Sequence, residues 1–121
     1  MYPPIYQLAR DDAAVTALLG SPPRFRPFGH YDQNGPRPYA VWQVIYGNPD
    51  NSLSCAPKED LYGVQVDAYA TTEEEARAVA AALRNAVESD HNPVVGYNGE
   101  FWEQATDLYR VSFTCEFWTE R

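Results

Sequence analysis

Residues 108–120, LYRVSFTCEFWTE, alternate strictly, with Tyr109, Val111, Phe113, Cys115 and Phe117 on one side of an extended chain and Arg110, Ser112, Thr114, Glu116 and Trp118 on the other. A period of two predicts a half-buried strand at the end of the chain. A second strand is predicted at Tyr39 to Tyr46 (YAVWQVIY), apolar on both faces apart from Gln43, which suits a central or partner-covered position. On a third, Tyr62, Val64, Val66, Ala68 and Ala70 face one way, and Gln65, Asp67 and Tyr69 the other.

The period changes after residue 70. Thr71 or Thr72, with Glu74 or Glu75 three residues on, forms a capping box whose carboxylate also suits the positive helix end. Ala76, Val79, Ala80, Leu83 and Val87 then make one apolar stripe, predicting a helix to about Ser89 that lies on the sheet. Near the N-terminus, Pro3 and Pro4 suit a first helical turn followed by Ile5, Leu8 and Ala9. Asp11 or Asp12 caps a second turn set with Val15, Leu18 and Leu19, Gly20 stops it, and Pro22 and Pro23 forbid continuation. Residues 3–20 are one broken helix or two short ones.

Between these elements the chain is punctuated. Arg24 to Phe28 is a short extended piece and Gly29 to Pro38 a loop. Residues 47–60, GNPDNSLSCAPKED, lack periodicity and predict a long mobile excursion at the tip of an extended hairpin. Pro93 to Tyr97 begins a strand that turns at Asn98-Gly99 into EFWE, and Gln104 to Asp107 makes a further polar turn. A right-handed crossover through the long helix would place the C-terminal strands beside the central pair. The expected fold is α+β: a two-layer sandwich with a mixed, mostly antiparallel sheet of about four to five strands, one long helix packed on it and a short N-terminal helical segment. It occupies residues 1–121 as a single domain.

The formal charge of −8, with no Lys/Arg cluster, disfavours tight wrapping of nucleic acid; ordinary acidic solubility explains it best, and a channel that DNA passes without sticking is the one setting in which such a surface could face DNA. Cys55 in a polar loop and Cys115 on an apolar strand face predict unrelated free thiols rather than a disulfide. The N-terminus has no basic region followed by an apolar run, and no stretch approaches the roughly 18 apolar residues of a membrane span, so a protein made and kept in a cytoplasm, or released from one by lysis, with no membrane partner, is expected.

Candidate chemistry is sparse. His30 and His91 have no partners at ligand spacing, and Glu73, Glu74 and Glu75 are explained by a helix start, so no metal is expected. No Gly-rich phosphate loop occurs, and Ser52, Ser54 and Ser112 belong to no nucleophile elbow. Asp67 beside Tyr69 could be an acid–base pair, but a surface or interface position fits better. We therefore expect no catalytic residue and no cofactor. Trp42, Trp102 and Trp118 are more than the open faces of a small sheet would carry unless something covers them, although Trp42 suits a core equally well. The expected interface residues are Tyr97, Trp102 and Trp118, with Asn48, Asn51 and Leu53 from the long loop.

Three segments, in order and spacing, resemble a known family: PYAVWQ (Pro38 to Gln43), YGVQVDAYATTEEEARAVAAALRNAV (Tyr62 to Val87) and LYRVSFTCEFWT (Leu108 to Thr119). Together they are similar to the tail completion, or tail terminator, proteins of tailed bacteriophages and prophages. The likeness covers most of the chain apart from residues 47–60 and 90–92. Gly63 departs from it, standing where such sequences carry a larger, often basic residue. The resemblance implies a structural, non-enzymatic virion protein that forms a ring, commonly a hexamer, at the head-proximal end of a long tail. There it would end tail tube growth and prepare head–tail joining. Implied partners are further copies of itself, the tail tube protein, a head–tail connector protein and passing DNA bound without specificity. The implied location is the virion, with assembly in the host cytoplasm. A small-ligand-binding α+β module and a hydrolase with scattered catalytic residues are the alternative readings.

Overall fold

The computed structural model describes residues 2–31, 34–51 and 56–121. Their elements are α1 (Ile5–Arg10), α2 (Ala13–Leu19), β1 (Phe25–Pro27), β2 (Tyr39–Pro49), β3 (Glu59–Ala70), α3 (Glu73–Ser89), β4 (Val94–Glu103) and β5 (Leu108–Glu120). The expected α+β class holds. Five strands form one sheet in the order β1-β2-β3-β5-β4, with β1 parallel to β2 and the remaining neighbours antiparallel.

Helix ends follow their sequence signals. Asp12 accepts a hydrogen bond from the Val15 amide at 3.0 Å, so the N-terminal segment divides into two helices at that cap. Gly20 ends α2 with φ of +88°, a region that costs a side chain energy. Thr72 caps α3, accepting from the Glu75 amide at 3.2 Å, and Glu73, Glu74 and Glu75 lie in its positive first turn. The apolar stripe of α3 is wider than its largest side chains suggest, because Ala82 and Ala86 are buried as well. Small residues there let the helix approach the sheet.

One apolar cluster joins the helices to one side of the sheet. It contains Ile5, Ala9, Val15 and Leu19 of α1 and α2, Val79, Leu83 and Val87 of α3, and Val64, Val66, Phe113, Cys115 and Phe117 of β3 and β5. Trp42 belongs to this core, 4.6 Å from the Phe25 ring centroid and 6.2 Å from that of Tyr6. A second, smaller cluster of Tyr39, Val41 and Leu108 covers the first turns of β2 on the other side, extended by Tyr31 stacked on Tyr39 at 4.1 Å and Tyr39 on Tyr69 at 4.9 Å. The doubly apolar start of β2 is thus covered on both faces within the subunit.

Three boundary readings are corrected. The excursion expected over residues 47–60 is shorter, because Gly47, Asn48 and Pro49 pair with Tyr62, Leu61 and Asp60, and the Asp50 amide donates to the Glu59 carbonyl at 3.0 Å. Tertiary pairing with β3, itself backed by β5, overrides the turn preference of Gly, Asn and Pro. The expected mobile tip at Ser52, Leu53, Ser54 and Cys55 lies outside the described residues. Asn98-Gly99 makes no hairpin turn: β4 runs through it, and register shifts at Val94/Gly96 and Tyr97/Gly99 mark bulges. Gly99, with φ of +113°, serves a bulge as readily as a turn. Finally, β5 is not half-buried. Ser112 and Thr114, expected on its open face, are buried because β5 sits between β3 and β4, and the Asn98 side chain donates to both hydroxyls at 3.0 Å from the second bulge.

Gly63 has a steric reason to be glycine. A Cβ there would lie 2.1 Å from the Tyr46 ring, which crosses Gly63 so that its hydroxyl can donate to Glu116 on β5. That hydrogen bond, ahead of burial, pushes the Tyr46 phenol up to about 12. We expect Gly63→Ala to cost about 1–2 kcal/mol in urea unfolding, since Tyr46 must swing away and lose its acceptor. In a Tyr46→Ala background the same change should be neutral or stabilising, because alanine suits a strand better than glycine. Equal costs in both backgrounds would contradict this account.

Candidate assembly interface

The strand β4 forms one edge of the sheet, hydrogen-bonded to β5 on one side only. Its sequence VVGYNGEFWE places large apolar groups where no layer of this chain covers them: Val95, Tyr97, Phe101 and Trp102 are all exposed, Tyr97 at 67% and Trp102 at 53%. The bulges cause this. With Val95 and Asn98 as extra residues, β4 coils away from the flat ladder and its side chains cannot keep one inward row.

Ion pairs fix this edge to the body. Arg77 of α3 forms a fork to Glu100, at 2.7 Å from Nη2 to Oε1 and 3.0 Å from Nε to Oε2, and also reaches Glu73 at 3.2 Å. The fork holds the Glu100 carboxyl below the usual range and raises the Arg77 guanidinium. Both groups are exposed, so the pair orients β4 more than it stabilises the fold. On the other face Arg110 lies 3.3 Å from Glu103 and 3.7 Å from Asp67, with its guanidinium carbon 4.4 Å from the Phe101 ring centroid. The Trp102 indole N–H donates to Asp107 at 3.0 Å. Two aromatic side chains of the edge are therefore held in place from within the subunit, as a preorganised contact surface requires.

A second exposed region lies at the far end of the sheet. Asn48 pairs with Leu61 and Leu61 with Trp118, so Asn48 and Trp118 stand in one row across β2, β3 and β5. Trp118 is 56% exposed, and Asn48 and Asn51 are exposed as well. The residues singled out from sequence thus fall into two groups: Tyr97 and Trp102 on the β4 edge, and Asn48, Asn51 and Trp118 at the hairpin end. Leu53 lies outside the described residues. Phe101 and Val95 were missed, as was Phe28 just beyond β1, which is 66% exposed. Reading residues 94–103 as one unbroken edge strand would have revealed the first two.

The polar groups are committed to structure. Asp67, expected on an open face, is buried, accepts hydrogen bonds from the Gln65 side-chain Nε2 at 3.2 Å and pairs with Arg110. Tyr69 is stacked on Tyr39, and burial, then the neighbouring Asp67 charge, pushes its phenol up to about 12. A carboxylate tied to arginine beside so weak an acid has little to offer as an acid–base pair at neutral pH. Among the described residues no group of three or more His, Cys, Asp and Glu side chains is placed to hold a metal. The grooves flanking β4 are small, 210 Å³ beside Trp102 and 260 Å³ beside Tyr97, against the roughly 300–1,000 Å³ of typical ligand pockets.

An α+β fold whose best candidate acid–base pair is tied up internally, and which leaves aromatics uncovered along the β4 edge, at the hairpin end and beyond β1, has the make-up of an assembly subunit. Sequence comparison agrees: the profile of the Tail completion protein gp17 family matches residues 3–120, and the chain belongs to that family. It is accordingly a structural component of a phage-type tail. Among solved structures it is similar to a chain of the "Virion of native gene transfer agent (GTA) particle", with a TM-score of 0.69 and 19% identity over 97% of this chain and 92% of that one, a likeness of fold. Comparison with curated proteins gives no match.

Cys115 supplies a test of the packing that supports this edge. Burial pushes its thiol from the ordinary 9.0 up to about 12. In a Cys55→Ser variant, a thiol reagent at neutral pH should leave the native protein unmodified and react fully after denaturation. The folded state keeps the proton that the unfolded thiol loses above about 9, so this contribution to stability is complete below that pH and declines towards about 12. Rapid native modification would mean that the β3–β5 core opens.

Proposed function

We propose that this protein forms a ring, of six copies, at the head-proximal end of a long phage-type tail, where it ends growth of the tail tube and prepares the tail for joining to the head. Membership of the tail completion family over nearly the whole chain is the observation that carries this reading. Its surface fits the role. The exposed aromatics of β4 suit burial between subunits, and a formal charge of −8 suits a ring through which DNA moves without adhering. The remaining partners of the reading are the tail tube protein and a head–tail connector protein. The protein acts by binding and position, with no reaction of its own.

Loss of the protein should leave tails of uncontrolled length or unable to join heads, visible by electron microscopy, while heads still fill with DNA. Normal tail lengths and normal infectivity in a deletion strain would rule out the terminator role. Mass photometry at high concentration and on purified tails should show the ring species. Tyr97→Asp and Trp118→Asp should each weaken assembly by about 2 kcal/mol or more, roughly 30-fold, if these side chains sit in subunit contacts. Unchanged assembly would remove that residue from the interface.

A further inference from the structure

The two edges of the sheet are opposite in chemistry. Residues 1–38, which supply α1, α2 and the edge strand β1, hold four arginines against three aspartates, whereas residues 39–121 hold five basic side chains against fourteen acidic ones. Around β4 the carboxylates Glu73, Glu100, Glu103 and Asp107 outnumber Arg77 and Arg110, and Tyr97, Phe101 and Trp102 stand exposed among them. At the β1 edge the bias is reversed. Arg24 and Arg26 rest on backbone carbonyls, Arg24 on Pro38 and Leu18 and Arg26 on Pro23 and Phe25, and neither forms an ion pair with a described carboxylate. Phe28, directly after β1, is largely exposed.

The β1 edge is also closed to strand addition. Arg24 and Phe28 direct their backbone groups to β2, leaving those of Phe25 and Pro27 outward. The Phe25 amide donates to the Pro23 carbonyl at 2.8 Å, the Pro27 carbonyl accepts from the His30 amide at 3.0 Å, and proline has no amide hydrogen. Contact at the β1 edge must therefore run through side chains. At β4 the two bulges interrupt the ladder.

Resting on the ring reading above, we propose that subunits join head to tail, the β4 edge of one copy, with Tyr97, Phe101 and Trp102 among carboxylates, receiving Arg26 and Phe28 from the β1 edge of the next. Trp, Tyr and Arg are the residues enriched among interface hot spots, and an arginine is attracted to the face of an aromatic ring. The two edges lie at opposite ends of a five-stranded sheet, roughly 19 Å apart at ordinary strand spacing. A contact between two different patches so placed is heterologous, the kind that closes into a ring when the rotation between copies closes.

Disulfide cross-linking tests the pairing, in a Cys55→Ser background, at concentrations or on tails where assembly is followed by mass photometry. Phe28→Cys and Trp102→Cys on separate copies, mixed and oxidised, should give a dimer and nothing larger. Both substitutions in one chain should give a ladder extending to the full ring. Assembly of normal size without the mixed cross-link, or cross-linking of Trp102→Cys copies to one another, would overturn the head-to-tail pairing and leave the ring reading intact. A protein that stays monomeric in every setting would overturn the ring reading and this contact with it.

Discussion

The ladder between β3 and β5 carries the rest of the molecule. It runs without a register shift from Glu59 opposite Glu120 to Ala70 opposite Tyr109, and its two strands hold the centre of the sheet. One face of it, Val64, Val66, Phe113, Cys115 and Phe117, is the floor on which the helices pack. On its opposite face buried polar groups are paired by neighbours, as Ser112 and Thr114 are by Asn98 and Asp67 is by Arg110. The Asn98 tie reaches outward to β4, and the Arg110–Asp67 pair joins the two central strands to each other. A long antiparallel core of this kind makes the sheet body a fixed frame, and the irregular features of the chain fall on its margins.

Those margins differ by design of sequence. At β1 the backbone is consumed by local hydrogen bonds and by Pro27, so the edge offers only side chains. At β4 the extra residues Val95 and Asn98 interrupt the ladder, Val95 standing exposed while Asn98 reaches back under β5. The same irregularity therefore uncovers one surface and seals another.

Much of the fold was legible from periodicity. The α3 stripe, the caps at Asp12 and Thr72 and the alternation of β3 and β5 are local signals, each stated by residues a few positions apart. What escaped is what depends on neighbours far away in sequence. Gly47 to Pro49 read as loop because their own preferences say loop, and only pairing with residues 60–62 makes them strand. Asn98-Gly99 read as a turn because a positive φ serves turns and bulges alike, and the choice is made by β5. Asp67 and Ser112 alternate as surface residues would, yet lie buried because strands flank them on both sides. The candidate interface was half legible for the same reason: Tyr97 and Trp102 stand out as aromatics, whereas Phe101 and Phe28 acquire meaning only once β4 and β1 are known to be edges.

The hairpin end of β2 and β3 has a mechanical consequence. From Ile45 onward β2 has no apolar layer beneath it, yet the ladder continues to Pro49, with the Tyr46 hydroxyl bound to Glu116 at its base. Near its tip Arg121 forks onto Asp60 at 3.0 and 3.1 Å, and its amide donates to the Lys58 carbonyl at 2.9 Å. The projection is thus a three-stranded extension of the central ladder, with β5 as its third strand. A pull along it loads many backbone hydrogen bonds in shear at once, in place of peeling them one by one. Whatever grips the paired residues 48–50 and 59–60 is coupled stiffly to the orientation of the whole body, so a tilt of one is a tilt of the other.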